Sequence, residues 1–176
     1  MSGFSLAVLN EMPTVLKPLG PQDGRQSETA KAVARGTRRL LRRLNYSTIT
    51  ELPLLSGRRA DIVALSMDAF ILIVEIKSSV ADFRNDTKWR EYRAHCDRFY
   101  FAIPEGVPVD IMPDDAGLIL ADAYGGDILR QAPDHRMALA TRRAVLLRFA
   151  HAAAQRLHRL SDAGVRGSDQ TTRFSA

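Results

Sequence analysis

The sequence reads RRADIVALSMDAFILIVEIKSS from residue 58 to residue 79, and this stretch predicts two apolar strands joined by a tight turn. We expect the first strand at 61–65 and the second at 70–76, with the turn at 66–69. Short β-branched runs separated by a polar break are typical of a β-hairpin. The two strands would pair antiparallel, so that the start of the first lies beside the end of the second.

Three ionisable residues, Asp61, Glu75 and Lys77, interrupt this otherwise apolar stretch. Side chains alternate between the two faces of a strand, so Glu75 and Lys77 point to one side while Ile76 points into the core. Antiparallel pairing brings Asp61 towards Glu75, and the three groups then meet at one edge of the sheet. Because burying charged groups is costly, this arrangement favours a functional site.

The chemistry that suits such a site is metal-assisted hydrolysis of a phosphodiester. Two carboxylates can hold a hard divalent ion such as Mg²⁺ or Mn²⁺, while water and phosphate oxygens complete its coordination. We predict Asp61 and Glu75 as metal ligands, with the backbone carbonyl of Ile76 as a further oxygen ligand. Lys77 is the predicted catalytic lysine, which orients the attacking water or stabilises the developing charge. The alternative is a turn residue at position 61 and a surface ion pair between Glu75 and Lys77, which would contribute little.

The order of these residues, Asp61 followed by Glu75-Ile76-Lys77, resembles the signature of the PD-(D/E)xK nuclease superfamily. The wider run, from RRADIVAL through VEIKSSVADFRNDTKWREYRAHCDRFYFAIP, is similar to the MmcB-type DNA repair family of bacteria over Ser27 to Leu160. One departure is Ala60, where the superfamily often has a proline that is not itself a ligand. The resemblance implies a restriction-endonuclease-like αβββαβ core, a divalent metal ion and a role in DNA-damage tolerance beside the lesion-bypass machinery.

Two further carboxylates are candidates for the same site. Nucleases of this superfamily often have an acid on the first core helix, and Glu28 matches that position, so the resemblance adds it to the catalytic set. The alternative for Glu28 is an acid favourably placed in the first turn of a helix. Glu51 lies in the strand predicted at 46–54, where a solvent-facing strand residue is the simpler interpretation.

A stripe of arginines covers the outer side of the helix predicted at 28–45. Its members are the predicted nucleic-acid-binding residues: Arg35, Arg38, Arg39, Arg42 and Arg43. Residues 1–60 carry ten Lys/Arg against four acids, residues 61–135 seven against fourteen, and residues 136–176 eight against two. An acidic centre between basic flanks suits a protein that binds a cation at its site and phosphates around it, although basic surfaces also serve solubility.

The rest of the chain alternates helical and strand-like patterns. The other predicted helices lie at 82–96, 109–112 and 138–160, and the other strands at 97–103, 117–122 and 127–131. This order predicts an α/β fold with a central mixed sheet flanked by helices, and we expect Trp89 in its core. We divide the chain into an irregular N-terminal arm at 1–26, a nuclease-like domain at 27–160 and a flexible tail at 161–176.

The 176-residue chain, with 45% hydrophobic and 26% charged residues, has the composition of a soluble globular protein. No signal peptide or membrane-spanning stretch is evident, and the single cysteine, Cys96, is compatible with a reducing cytoplasm, so we expect a cytoplasmic protein without membrane contact. Two functions fit: a Mg²⁺- or Mn²⁺-dependent DNA nuclease in bacterial DNA repair or damage tolerance, or a nuclease-fold DNA-binding or adaptor protein without significant cleavage. RNA processing is a third option.

Overall fold

The computed structural model describes residues 27–162 and places a six-stranded sheet between helices. The helices are α1 (Glu28–Arg43), α2 (Val80–Asn85) and α3 (Leu139–Ser161), with 3-10 helices at Trp89–His95 and Val109–Ile111. The strands are β1 (Ser47–Pro53), β2 (Arg59–Leu65), β3 (Ile71–Ile76), β4 (Arg98–Ile103), β5 (Gly117–Ala121) and β6 (Gly126–Arg130). None of the helices within 27–162 is long and apolar enough to cross a membrane.

The strands lie side by side in chain order, from β1 at one edge to β6 at the other. The pairs β1–β2, β2–β3 and β5–β6 are antiparallel, whereas β3–β4 and β4–β5 are parallel. The antiparallel hairpin and the α/β fold with a mixed sheet, both predicted from the sequence, are confirmed. The element order agrees with a restriction-endonuclease-like core.

Strand β3 is buried on both faces, and its alternating side chains divide the interior into two cores. On the face that α3 and the Trp89–His95 segment cover, called here the α3 face, Ile73 packs with Phe99. On the opposite face, called the α1 face, Val74 packs with residues of α1. Trp89 is 3% exposed and stacks on Phe99, which confirms its expected place in the core.

Helix α1 begins at a serine cap, where the N–H of Ala30 donates to Ser27 Oγ over 3.1 Å. The side of the helix that faces the sheet is buried at Val33, Thr37, Leu40 and Leu41. The helix ends at Arg43, before the predicted end at 45, and Leu44 is 45% exposed.

The prediction of one long helix at 82–96 was wrong. Helix α2 ends at Asn85, Asp86 has an extended backbone, and a separate 3-10 helix begins at Trp89. The side chain of Asp86 accepts the N–H of Lys88 over 3.0 Å, a local bond that replaces a helical one. Asn, Asp and Thr at 85–87 all have side chains that compete with helical hydrogen bonds, which explains a break that apolar periodicity does not reveal.

The terminal segments fall mostly outside the described residues. The predicted arm at 1–26 lies outside them, as does the predicted tail beyond Asp162. Ser161, placed in the tail by the sequence, is the last residue of α3.

A buried carboxylate ties the starts of β3 and β4 to α3. Asp97 accepts the N–H of Ile71 over 2.7 Å and two hydrogen bonds from the guanidinium of Arg142, at 2.6 and 2.8 Å. Arg142 also donates to the carbonyl of Ala69 in the β2–β3 turn. Burial alone would raise the pKa of Asp97, but the bonds from Arg142 and Ile71 outweigh it and leave that pKa below its ordinary 3.8.

Replacing Asp97 by Asn is expected to lower the free energy of unfolding by about 2–3 kcal/mol at pH 7, because Arg142 loses its charged partner. A carboxyl with a lowered folded pKa stabilises the fold above its ordinary pKa, and this contribution is lost as the pH falls through the folded pKa. The deficit of Asp97→Asn should therefore shrink between pH 4 and pH 2, as urea unfolding would measure.

The matched control is Asp134→Asn, which removes the exposed partner of Arg98 at 2.6 Å. An exposed pair contributes about 1 kcal/mol or less, so this variant should stay close to the native protein. Equal losses of unfolding free energy in the two variants would show that the buried Asp97 bonds stabilise the fold no more than an exposed ion pair does.

Candidate functional site

The two predicted metal ligands exchange hydrogen bonds with each other's strands. Backbone pairing of β2 with β3 runs from the turn as far as Ile62 opposite Val74. At the next position, the N–H of Asp61 donates to Glu75 Oε1 over 3.1 Å, and the N–H of Ile76 donates to Asp61 Oδ2 over 2.9 Å. Each carboxylate thus accepts a backbone N–H of the other strand. The structure brings Asp61 and Glu75 together, as the hairpin predicts.

Burial makes this pair difficult to ionise. It raises the pKa of Asp61 to about 6, although the N–H of Ile76 lowers it. Burial, followed by the charge of Asp61, raises the pKa of Glu75 well above its usual range. The hydroxyl of Tyr92, which donates to the Arg59 carbonyl over 3.1 Å, also has a raised pKa because of burial and the two carboxylates. The surroundings therefore supply too little positive charge to keep both carboxylates readily ionised.

Lys77 lies beside the pair but bonds to a different acid. Its ammonium group is buried and lies 2.6 Å from Asp86 Oδ2, so the alternative of a surface ion pair with Glu75 was wrong. The Coulombic effect of Lys77 lowers the pKa of both Asp61 and Glu75, which places it close to them. Asp86 orients the lysine, and this residue was not predicted from the sequence. The helix-breaking run at 85–87 was the one signal that could have drawn attention to it.

Glu51 lies nearer to the pair than a solvent-facing strand residue would. The β1–β2 register places Thr50 opposite Ile62, so Glu51 falls opposite Asp61. Glu51 has a left-handed backbone with φ 54°, and its half-buried carboxylate lies 2.5 Å from Arg59 Nε. Its charge adds to the raised pKa of Asp61.

Glu28 does not join these carboxylates. Its side chain is 89% exposed and forms an ion pair with Lys31 at 2.8 Å. Helix α1 packs on the α1 face, whereas Glu75 alternates with Ile71 and Ile73 and so lies on the α3 face. The ion pair with Lys31 fits the simpler role of Glu28 as an acid in the first turn of a helix.

The arginine stripe lies on the α1 face as well, and part of it bonds to neighbouring segments. Arg38 donates to Thr48 Oγ1, Arg39 to the carbonyls of Ala123 and Tyr124, and Arg43 to the carbonyl of Gly126.

The other two arginines of the stripe are exposed. Arg35 and Arg42 make no hydrogen bond or ion pair within residues 27–162. With Tyr46 and Thr48 they line an open depression of about 400 Å³. These arginines are therefore available to an anion.

The donor set fits a magnesium-type ion. Asp61 and Glu75 offer hard oxygen ligands, and a cation between them would compensate the repulsion that raises their pKa values. Within residues 27–162, no group of three or more His, Cys, Asp or Glu side chains is arranged to hold a metal. Mg²⁺ is commonly held by one or two carboxylates together with water and phosphate oxygens, so two protein carboxylates suffice.

Replacing Asp61 by Asn is expected to stabilise the metal-free protein by about 1–3 kcal/mol at pH 8, because it removes one of two repelling charges. A carboxyl with a raised folded pKa loses its stabilising contribution as the pH rises from its ordinary 3.8 through about 6. The gain from the substitution should therefore be small at pH 4 and largest above pH 6. Thermal unfolding in chelator, measured across this range, is the test.

The control is Asp68→Asn, which neutralises an exposed carboxylate in the β2–β3 turn. It should leave the stability unchanged at both pH values. A loss of stability at pH 8 in Asp61→Asn would contradict the repulsion between the carboxylates.

The comparisons with known proteins agree with this fold. The chain is 35% identical to the SPO1766 protein of unknown function from Silicibacter pomeroyi, whose structure superposes with a TM-score of 0.76. The match covers 82% of this chain and 99% of that one. No curated protein matches the chain. A family model for DNA repair proteins described as MmcB-like matches residues 17–164. The chain belongs to the MmcB-like family of DNA repair proteins.

Proposed function

We propose that this protein is a Mg²⁺- or Mn²⁺-dependent DNA nuclease that acts in bacterial DNA repair or damage tolerance. The observation that carries the proposal is the desolvated pair of Asp61 and Glu75, with the buried ammonium of Lys77 beside it. Membership of a DNA repair family supports DNA as the substrate or partner. The lesion-bypass machinery is the proposed cellular context.

Each residue of the site has a proposed role. Asp61 and Glu75 would hold the ion, with the carbonyl of Ile76 as a third ligand. A bound divalent ion polarises a phosphate and lowers the pKa of a coordinated water. Lys77 has three N–H donors and uses one for Asp86, so two remain to orient a water or contact a phosphate oxygen. Asp86 fixes the direction of these donors.

Basic groups near Lys77 can receive the DNA backbone. An open depression of about 340 Å³ beside Lys77 is lined in part by Arg58 and Lys88. Arg58 is held by two hydrogen bonds to Glu91, whereas the exposed ammonium of Lys88 forms no ion pair within residues 27–162. These groups lie on the side of the site where Lys77 is found. Phosphates on either side of the cleaved bond would bind there.

The second candidate function is a DNA-binding or adaptor protein with the nuclease fold. The hydrogen bonds between Asp61 and Glu75 and the opposite strands favour it, because they satisfy both carboxylates without any metal. The absence of a third metal-binding side chain within 27–162 points the same way. The retained Lys77 favours the nuclease, since closing the end of a hairpin does not require a buried ammonium group.

Titration calorimetry with Mn²⁺ is expected to give a dissociation constant in the micromolar-to-millimolar range, typical of a site with few protein ligands. The double variant Asp61→Asn/Glu75→Gln should bind none. Glu28→Gln serves as the control, because the Glu28 side chain is 89% exposed and pairs with Lys31, and it should bind as the native protein does. Equal heats for native and double variant would place the metal elsewhere or exclude it.

Replacing Lys77 by Met should reduce DNA cleavage by about a hundredfold or more, since a group that stabilises developing charge is removed while the buried stem is kept. Because Lys77 is buried, Met fills space that a smaller side chain would leave empty. The assay uses labelled single-stranded, duplex and branched DNA with Mg²⁺, Mn²⁺ or chelator.

Lys31→Met is the matched control on the α1 face and should cut at the native rate. The nuclease proposal is falsified if native protein cuts no form of DNA with either metal. That outcome, with DNA binding intact, would establish the adaptor function.

A further inference from the structure

Helix α1 touches the turn between β5 and β6 through a glycine. A Cβ atom on Gly36 would lie 2.1 Å from the carbonyl oxygen of Asp122 and 2.2 Å from that of Gly125. Both distances are far inside van der Waals contact, and both atoms belong to backbone, which cannot move aside easily. Only glycine allows the helix to approach this turn so closely.

Arginines of α1 complete the contact. Arg39 donates to the carbonyls of Ala123 and Tyr124 at 3.1 and 3.2 Å, and Arg43 donates to the carbonyl of Gly126 at 3.0 Å. Two charged side chains of the helix thus bind three carbonyls of the turn backbone, and hydrogen bonds from charged donors are the stronger kind.

The turn is also fixed from within. Asp122 Oδ1 accepts the N–H of Tyr124 at 2.7 Å and that of Gly125 at 2.8 Å, and the N–H of Asp122 donates to the Gly125 carbonyl. These bonds hold the backbone of the turn, while the side chain of Tyr124 is 82% exposed. A turn with so many restraints thus presents an aromatic ring to solvent beside the arginine stripe.

The surrounding charges differ on the two sides of Tyr124. Arg35 and Arg42 lie four residues before and three residues after Arg39, so they occupy the same side of the helix as the arginine that holds the turn. On the other side, Glu105 and Asp127 line a depression that includes Tyr124 and the Arg43 side chain, whose guanidinium is bound to the Gly126 carbonyl. A polyanion that touches Tyr124 is therefore directed across α1 and away from these acids.

We propose that Tyr124 and the outer side of α1 form a binding surface for single-stranded nucleic acid. A base stacks on the exposed ring of Tyr124, and Arg35 and Arg42 contact phosphates. Sequence-independent binding of single strands commonly combines a positively charged surface with aromatic stacking platforms. Bases in a duplex are already stacked on each other, so an isolated exposed tyrosine favours the unpaired form.

This surface is separate from the candidate metal site. It lies on the α1 face, whereas Glu75 lies on the α3 face, and it needs no divalent ion. The inference therefore goes beyond the proposed cleavage and holds equally for a nuclease and for an adaptor.

The test is fluorescence anisotropy of a labelled oligothymidine of about 20 nucleotides, longer than a typical single-strand binding site, and of a duplex of equal length. Chelator is present throughout, so that cleavage plays no part. Tyr124→Leu should weaken binding of the oligothymidine about tenfold, and Tyr124→Phe should stay within about twofold of the native protein. Binding of the duplex should change little in either variant.

A second readout tests the arginines. Arg42→Gln should reduce the slope of log K against log salt by about 0.7 for each phosphate of the single strand that the variant no longer neutralises. Arg143→Gln is the matched control, since it removes an exposed arginine of α3 that forms no hydrogen bond or ion pair within residues 27–162.

Met67→Ala, which truncates a 95% exposed side chain in the β2–β3 turn, is the control for the removal of apolar surface in Tyr124→Leu. Both controls should bind as the native protein does.

Two outcomes would overturn the inference. In one, Tyr124→Leu keeps native affinity for the oligothymidine or loses the same factor on the duplex. In the other, native protein binds no nucleic acid. Because these measurements exclude metal, their failure leaves the Lys77 experiment unaffected, and a protein that binds single strands without cutting them would support this inference alone.

Discussion

A strand buried on both faces can hold a carboxylate only if backbone N–H groups or a cation stabilise it, and β3 meets this constraint at Glu75. The N–H of Asp61 supplies one bond to Glu75, and Asp61 in turn takes the N–H of Ile76, so side chains replace the backbone pairing of β2 with β3 at this point. These hydrogen bonds reach one oxygen of each carboxylate but leave two acidic groups in a poorly solvated place, which is why both pKa values are raised. At this position the hairpin therefore lacks backbone pairing between the strands and lacks a positive charge to balance its two carboxylates. A bound cation would supply that charge.

The packing around β3 also determines which basic residues can reach the carboxylates. Arg156 of α3 donates to the carbonyl and the hydroxyl of Thr50, directly before the left-handed Glu51. Burial lowers the pKa of Arg156, and the charges of Arg159 and Arg38 lower it further, so cations from α3 and α1 meet across the edge strand β1. Helix α3 therefore supports the strand that carries Glu51, whereas most of the α1 arginines lie behind the sheet.

The hairpin, the mixed sheet and the core position of Trp89 could be predicted because alternation and turn residues are local properties of the sequence. The surroundings of Glu28 are not a local property: the resemblance assigned it to the site, whereas its exposed side chain pairs with Lys31. The partner of Lys77 was equally hidden, since Asp86 approaches it through a break in a predicted helix. Arg39 and Arg43 were predicted to bind nucleic acid, and nothing in the sequence reveals the turn whose carbonyls they contact.

The parallel arrangement of β3, β4 and β5 places the two candidate surfaces at the same end of the sheet. The carboxyl end of β3 carries Glu75 and leads into Lys77, and the carboxyl end of β5 leads into the turn of Tyr124. Strands β3 and β5 are two strand spacings apart, about 10 Å across the sheet. Ligands of open α/β sheets commonly bind outside the carboxyl ends of the strands, and here that end separates the metal-type site on the α3 face from the stacking surface on the α1 face. Because the two candidate sites lie on opposite faces at this end, a single strand bound at Tyr124 would have to pass around the end of the sheet to reach the carboxylate pair.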